Sequence, residues 1–377
     1  MGAEVATLGT TAKSSPPPPE EGAKAARALR YQAQSQARHI LRMDARKRQP
    51  EKYPGDVYRT ADCRYVNHGD VGVHLSPQFQ AAHYAGLVSC GSVWACPVCA
   101  SRIQERRRLE IEQAIAWAES KGLECVLVTF TFPHRAWHHL GDLLGMQADA
   151  FKRLRKGSPW GRLKKRIGFK GLIRSLEVTH GNNGWHPHTH ELWLVESAPT
   201  QSELVILWER ACRAVGLLDD HPEGTFRWAK FMVHSVDVKR DMTAGDYLAK
   251  QDDSRSWGFS HEVAKATSKA GRAKGVHPHH FLVRKALGDA ERFLEYVCGM
   301  KGKRQLFWSP GLKSLVGVDD LTDEVVAEES REAADLLGLL SPEDWKVVRG
   351  NDARAELLDA AERGGWSAVE ALLNALR

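Results

Sequence analysis

Residues 171–195 read GLIRSLEVTHGNNGWHPHTHELWLV, and their pattern decides the fold. GLIRSLEVTH (171–180) is a strand. GNNG (181–184) is a strong hairpin turn, because Gly and Asn tolerate positive φ. HTHELWLV (188–195) returns as the paired strand. His188 and His190 are two residues apart on it, so both imidazoles share one face. Glu177, on the outgoing strand, can be placed beside them. Two imidazoles and a carboxylate hold a divalent ion and leave positions open for a phosphate oxygen. The expected ion is Mg²⁺ or Mn²⁺, although these donors also accept zinc. His186 is a further candidate ligand. The competing reading is a polar hairpin surface.

Outward from the hairpin, CVLVTFTF (125–132) is β-branched and aromatic, and Pro133 stops it. KFMVHSVDVK (230–239) gives a fourth strand. Helical periodicity runs over 101–121, closed by Gly122, and again over 137–156 and 202–216. TAGDYLAKQ (243–251) opens another helix. The order β-α-β-β-α-β-α predicts an α+β fold, a central antiparallel sheet of ferredoxin/RRM-like type with helices on one face. Tyr247 opens the last helix, with Lys250 three residues on along the same face. A tyrosine hydroxyl is a weak nucleophile at its free pKa, near 10. A nearby cation and a metal-polarised phosphate would make its attack feasible. The competing role for Tyr247 is packing.

Seven cysteines is an odd number, and the N-terminus lacks an apolar signal core. Both argue for thiols or metal ligands in a reducing cytoplasm rather than a disulfide framework. CGSVWACPVC (90–99) is the informative stretch. Two thiolates spaced by two residues fit tetrahedral zinc, which makes Cys96 and Cys99 one half of a knuckle and Cys90 a third ligand. Cys63 is the expected fourth, with His68, His74 and His83 as alternatives. A redox pair is the rival reading, but no thioredoxin-like βαβ unit surrounds it. Cys125, Cys212 and Cys298 read as core filler. His277-Pro278-His279-His280 reads as loop surface.

The net charge of +6 is unevenly spread. From Asp319 onward there are 15 acidic and 6 basic residues, whereas the first 318 residues carry a net +15. A basic body with an acidic tail suits a nucleic acid partner. The densest run has Lys152, Arg153, Arg155, Lys156, Arg162, Lys164, Lys165, Arg166 and Lys170, with Trp160 and Phe169 available for base stacking. No run approaches the ~18 apolar residues of a membrane span. The expected organisation is a disordered, basic lead-in (1–55) whose Ala/Arg-rich part forms a solvated helix. A cysteine-rich segment and helix (56–121), irregular over 56–100, comes next. A nuclease-like domain with a basic extension (122–318) and an acidic helical region (319–377) complete it.

LVTFTFP (127–133), LEVTHGNNGWHPHTHELW (176–193) and YLAKQDD (247–253) resemble, in order, the three motifs of HUH endonucleases. More narrowly, they resemble those of rolling-circle plasmid replication initiators. CGSVWACPVCASRI (90–103) and KGKRQLFWSPGLK (301–313) resemble segments of the subset with a cysteine-rich block. The resemblance implies His188 and His190 as metal ligands and Tyr247 as nucleophile, with Lys250 near the metal or the scissile phosphate. It implies nicking of single-stranded or hairpin origin DNA through a 5′-phosphotyrosine, a 3′-OH primer, and a host helicase as partner. Relatives often carry a glutamate four residues before the tyrosine, where this chain has Thr243. Others carry a second tyrosine, where it has Gln251. Alternatives are a relaxase or transposase of the same superfamily, a non-catalytic zinc-ribbon DNA-binding regulator, and an RNA-associated protein with an RRM-like sheet.

Overall fold

Alternating apolar residues in the 124–130 and 171–195 stretches build a sheet with two differently used faces. The structure is a computed structural model and describes residues 19–77, 80–240, 275–328 and 334–377. The strands are β1 (Asn67–Ser76), β2 (Ala81–Leu87), β3 (Glu124–Phe130), β4 (Gly171–Gly181), β5 (Gly184–Val195), β6 (Val236–Lys239), β7 (Leu306–Trp308) and β8 (Asp335–Leu340). The main helices are α1 (Pro19–Arg48), α2 (Pro97–Ser120), α3 (Leu140–Leu154), α4 (Ser158–Arg166), α5 (Gln201–Arg213), α6 (Phe226–His234), α7 (Asp289–Met300), α8 (Leu312–Val316), α9 (Pro342–Gly350) and α10 (Arg354–Leu376).

The central sheet has the order β6-β3-β5-β4-β7, and all its pairings are antiparallel. On one face Val128, Phe130 and Trp193 pack with Phe151 of α3, Trp160 of α4 and Trp208 of α5. Glu191, fully buried, accepts from Arg155 at 2.5 Å, Arg174 at 2.6 Å and Trp193 Nε1 at 2.8 Å. Burying that carboxylate is tolerable only because two guanidiniums neutralise it. On the other face Leu127, Ile173, Leu192 and Leu194 pack under Ile111 and Ile115 of α2 and Leu312 of α8. Further along, the same face of β5 turns polar, at His190, His188 and His186.

The hairpin is tighter than the sequence suggested. β4 and β5 are joined by Asn182-Asn183 alone, with Gly181 opposite Gly184. Gly184 has φ +78°, and a Cβ there would lie 2.9 Å from the Cα of Ala136. Both facts require glycine.

A second sheet, β2-β1-β8, joins the two ends of the chain. Residues 56–100 were expected to be irregular, yet they carry the β1–β2 hairpin, whose alternation is diluted by Gly69, Gly72 and Gly86. The C-terminal region was expected to be helical, yet it supplies β8. Gly338 of β8 lies directly beneath the Trp366 ring, where a Cβ would come within 2.4 Å of the indole. α9 and α10 cover this sheet through Trp345, Leu357 and Leu358. The cysteine-rich and acidic regions therefore share one layer.

The lead-in also differs from expectation. Residues 19–48 form one helix, and Ala33, Ala37, Leu41 and Ala45 are fully buried along it. Small side chains at i, i+4 spacing allow close approach but carry too little apolar mass to stand out in a sequence. The buried Arg354 side chain reaches back to Gln34 and Ser35 of α1, at 2.6 and 2.5 Å. The acidic region folds onto the basic body at several points: Arg27 pairs with Asp359 and Glu362, and Arg107 with Asp323.

The expected strand 230–239 is mostly helix. Thr225 caps α6 by accepting from Trp228 N–H, leaving only Val236–Lys239 as strand. The basic run holds a second helix, α4. Cys125 and Cys212 are buried as expected, whereas Cys298 is exposed. No described helix is long and apolar enough to cross a membrane.

Candidate metal centre and nucleic-acid interface

The β4–β5 register sets Glu177 directly opposite His188, and Ser175 opposite His190. His188 Nε2 lies 2.9 Å and His190 Nε2 3.4 Å from the same oxygen, Glu177 Oε2. Ligand atoms of the three residues lie within 4.8 Å of one another. For an ion about 2.1 Å from each ligand, adjacent donors stand about 3 Å apart, so the set fits a divalent cation.

The remaining ring nitrogens are oriented. His190 Nδ1 meets the Thr129 hydroxyl at 2.9 Å, and His188 Nδ1 meets the His186 carbonyl at 3.3 Å. Such partners fix the tautomer and aim Nε2 at the metal position. Burial alone would raise the Glu177 carboxyl, but hydrogen bonds from His188 and His190 outweigh it and hold the group well below the carboxylate range. Burial disfavours His188⁺, yet Glu177 reverses this and raises its pKa.

His186 belongs elsewhere. Its Nδ1 bonds His134 Nε2 at 2.7 Å, and its Nε2 lies 3.5 Å from the Thr131 hydroxyl. Burial, with His188 and His134 beside it, pushes His186 down to about 3, so it is neutral. His134 also contacts the Asn183 carbonyl at 2.9 Å and so ties the turn to the loop after β3. Sequence reasoning gave Thr129, Thr131 and His134 no role. The signal was in LVTFTFPH: its threonines alternate onto the face that carries His190.

Tyr247 and Lys250 lie outside the described residues.

The four cysteines converge. Cys63 Sγ is 3.5 Å from Cys99 and 3.6 Å from Cys96, and Cys90 is 3.8 Å from Cys99. With Zn–S near 2.3 Å, a tetrahedron has S···S edges of about 3.8 Å. The donor set and spacing fit zinc. Cys96 is the N-cap of α2, with Pro97 following, so the turn that presents Cys96 and Cys99 also starts the helix. His74 and His83 instead stack on each other across β1–β2, with ring centroids 5.4 Å apart, and His68 is exposed on β1.

The His277–His280 run is no loop surface. His277 and His279 are buried, and His279 Nε2 meets the Trp94 carbonyl at 2.6 Å. The run fastens the cysteine block to β4, because Val276 bridges His180.

In the basic run, Lys152, Arg153, Lys156, Arg162, Lys164, Lys165 and Arg166 are exposed, and Arg166 pairs with Glu203. Arg155 turns inward onto Glu191 and cannot serve DNA. Trp160 is buried edge-on against Phe169 and Trp193, at 5.6 and 5.5 Å, so its ring is not available for base stacking. Most of the run sits on α3 and α4, which pack on the sheet face opposite the histidines.

A family model described as "Replication protein" matches residues 88–213, a span that includes Cys90, Cys96, Cys99, Glu177, His188 and His190. "Protein rep" of Streptomyces lividans is 30% identical over 347 residues, covering 75% of this chain and 73% of that protein. "Neomycin resistance protein" of Streptomyces cyanogenus is 38% identical over 153 residues, or 33% of this chain and 35% of that protein. No solved structure matches the chain significantly.

Proposed function

Since the chain belongs to the replication protein family, we propose that it initiates rolling-circle replication of a plasmid by metal-dependent nicking and joining of single-stranded origin DNA. The observation that carries this reading is the convergence of His188 Nε2 and His190 Nε2 on one oxygen of Glu177. A divalent ion held there would polarise a phosphate oxygen and neutralise charge as it develops. Thr129 and the His186 carbonyl keep both imidazoles aimed at that position, so little reorganisation is needed when the strand arrives.

Tyr247 is the proposed nucleophile and Lys250 its neighbouring cation. The phenolic oxygen attacks phosphorus, and the bond from phosphorus to the 3′ oxygen breaks. The tyrosine proton leaves to solvent or base, and the departing oxygen takes up a proton as a free 3′-OH. The product is a 5′-phosphotyrosine and a primer end. Zinc on Cys63, Cys90, Cys96 and Cys99 would be structural, because all four positions are filled by protein thiolates.

The test is cleavage of an origin oligonucleotide with Mg²⁺ or Mn²⁺ by wild type, His188→Ala and His190→Ala, alongside binding of the same DNA. Loss of cleavage with binding retained supports the reading. Full cleavage by either variant, or binding lost in step with cleavage, contradicts it.

A further inference from the structure

A groove of about 1270 Å³ runs along β7, the strand that pairs with β4, and is not used by the chemistry above. Gln305 lines it, and the Gln305 carbonyl accepts from Leu176 N–H at 2.9 Å, one residue before Glu177. Leu306 and Trp308 of β7, also on its wall, pair with Ser175 and Ile173 of β4. The groove therefore follows the sheet edge away from the metal position. Lys170, at the other end of the basic run, is seven residues from Glu177, about 23 Å along the strand.

The lining is of mixed charge. One stretch carries Lys301, Lys303 and Arg304, all exposed, and none pairs with a carboxylate among the described residues. Its backbone is pinned, because Trp94 Nε1 donates to the Lys303 carbonyl at 2.8 Å. The cysteine block thus holds these cations in place. The lining also carries Asp319, Asp320, Asp323 and Glu324; Asp323 pairs with Arg107, itself on the lining, at 2.6 Å, and Asp319 lies 3.7 Å from Arg106. Asp320 pairs with Lys313 at 2.9 Å but is 90% exposed, so that contact is cheap to exchange. Trp308, half-buried against the apolar cluster under α2, lines the groove, with Lys313 Nζ 5.8 Å from its ring centroid.

A strand in this groove meets carboxylates as well as cations. A nucleic acid strand has an anionic side and a side bearing base amino donors, which carboxylates accept. A concave track with cations and an aromatic ring is how single strands are held. We propose that this groove, rather than the α3–α4 surface, carries the single DNA strand flanking the scissile phosphate, with its backbone on Lys301–Arg304 and its bases toward Asp319–Glu324. The proposal rests on the nicking reading for the scissile phosphate.

The test uses the full chain and labelled oligo-dC of twenty residues, read by fluorescence anisotropy across a salt series. Comparison strands are an abasic twenty-mer and oligo-rC. The triple variant Lys301→Ala/Lys303→Ala/Arg304→Ala removes three phosphate contacts. At about 0.7 counterions per contact, the slope of log affinity against log salt should flatten by about 2, and affinity at 0.1 M salt should fall roughly 100-fold. Lys303→Glu alone should cost about fivefold or more. Lys164→Ala/Lys165→Ala should bind as wild type, and the abasic strand should bind more weakly than oligo-dC. Wild-type affinity in the triple variant, a loss carried instead by the α4 variant, equal binding of the abasic strand, or tighter binding of oligo-rC would each overturn the assignment. Cleavage separates the two claims. A wild type that never cuts sinks the nicking reading and leaves the binding result standing. A wild type that cuts, with a triple variant that binds normally, sinks only the groove.

Discussion

Replacing Cys96 by serine should expose how much of the fold the cysteine cluster supports. The four thiols are buried in the main core with Ala33, Leu41 and Ile103, which join α1 to α2. Serine can still accept from the Cys99 N–H, as the Cys96 sulfur does at 3.5 Å, so the helix cap survives and the thiolate ligand alone is lost. Structural zinc sites contribute roughly 10–16 kcal/mol, comparable with the roughly 5–15 kcal/mol net stability of a domain. One ligand of four then corresponds to about 2.5–4 kcal/mol. At about 2–4 °C per kcal/mol, the unfolding midpoint should fall by roughly 5–16 °C. Metal analysis, thiol titration and thermal unfolding are the assays. Wild type should carry about one zinc per chain with four unreactive thiols, and Cys96→Ser should bind the metal about 100–1000-fold more weakly. Wild-type protein free of zinc, with all four cluster thiols reacting at once, or a variant with an unchanged midpoint, would rule out a structural zinc at this cluster.

Two further outcomes follow from the sheet. Glu191→Gln should destabilise the protein by about 3–5 kcal/mol, because it leaves Arg155 and Arg174 without their buried counter-charge. Burial raises the Glu191 carboxyl, but the two arginines outweigh this and depress it. Its stabilising contribution is therefore complete above the ordinary glutamate range and lost as pH falls through the depressed value, so urea titrations should show an acid-side decline that the variant lacks. An equally steep decline in Glu191→Gln would place its origin elsewhere. Thr129→Val removes the hydroxyl that orients His190 and should weaken Mn²⁺ binding about 10–100-fold with the unfolding midpoint nearly unchanged. Calorimetric titration checks it, and wild-type Mn²⁺ affinity would mean the hydroxyl does not orient the ring.

The sequence was most legible where periodicity and turn chemistry agreed. GNNG between two alternating runs specified the hairpin, and HxH on the return strand specified a shared face. CPVC preceded by Cys90 specified a cluster, and Cys63 joins it because the turn after Ala61 carries its sulfur to within 3.6 Å of Cys96. Long-range partnerships were not legible. Nothing local in DLLGLL (335–340) says that it pairs with β1, more than 250 residues earlier. Arg155 sat among exposed cations in sequence but faces Glu191 across the sheet, because every third or fourth residue of α3 points inward. The alanine stripe of α1 was masked by interleaved arginines. The His277–His280 run looked like surface because the Trp94 carbonyl that His279 meets lies 185 residues away in the chain.

On the proposed mechanism, the chain becomes covalently joined to the DNA it cuts. The direct measurement is mass spectrometry of peptides from full-length protein incubated with single-stranded origin DNA and Mn²⁺. The expected result is a deoxynucleotide 5′-phosphate on the peptide containing Tyr247, absent in Tyr247→Phe and in His190→Ala. An adduct on another residue, or DNA cut with no adduct at all, would contradict it.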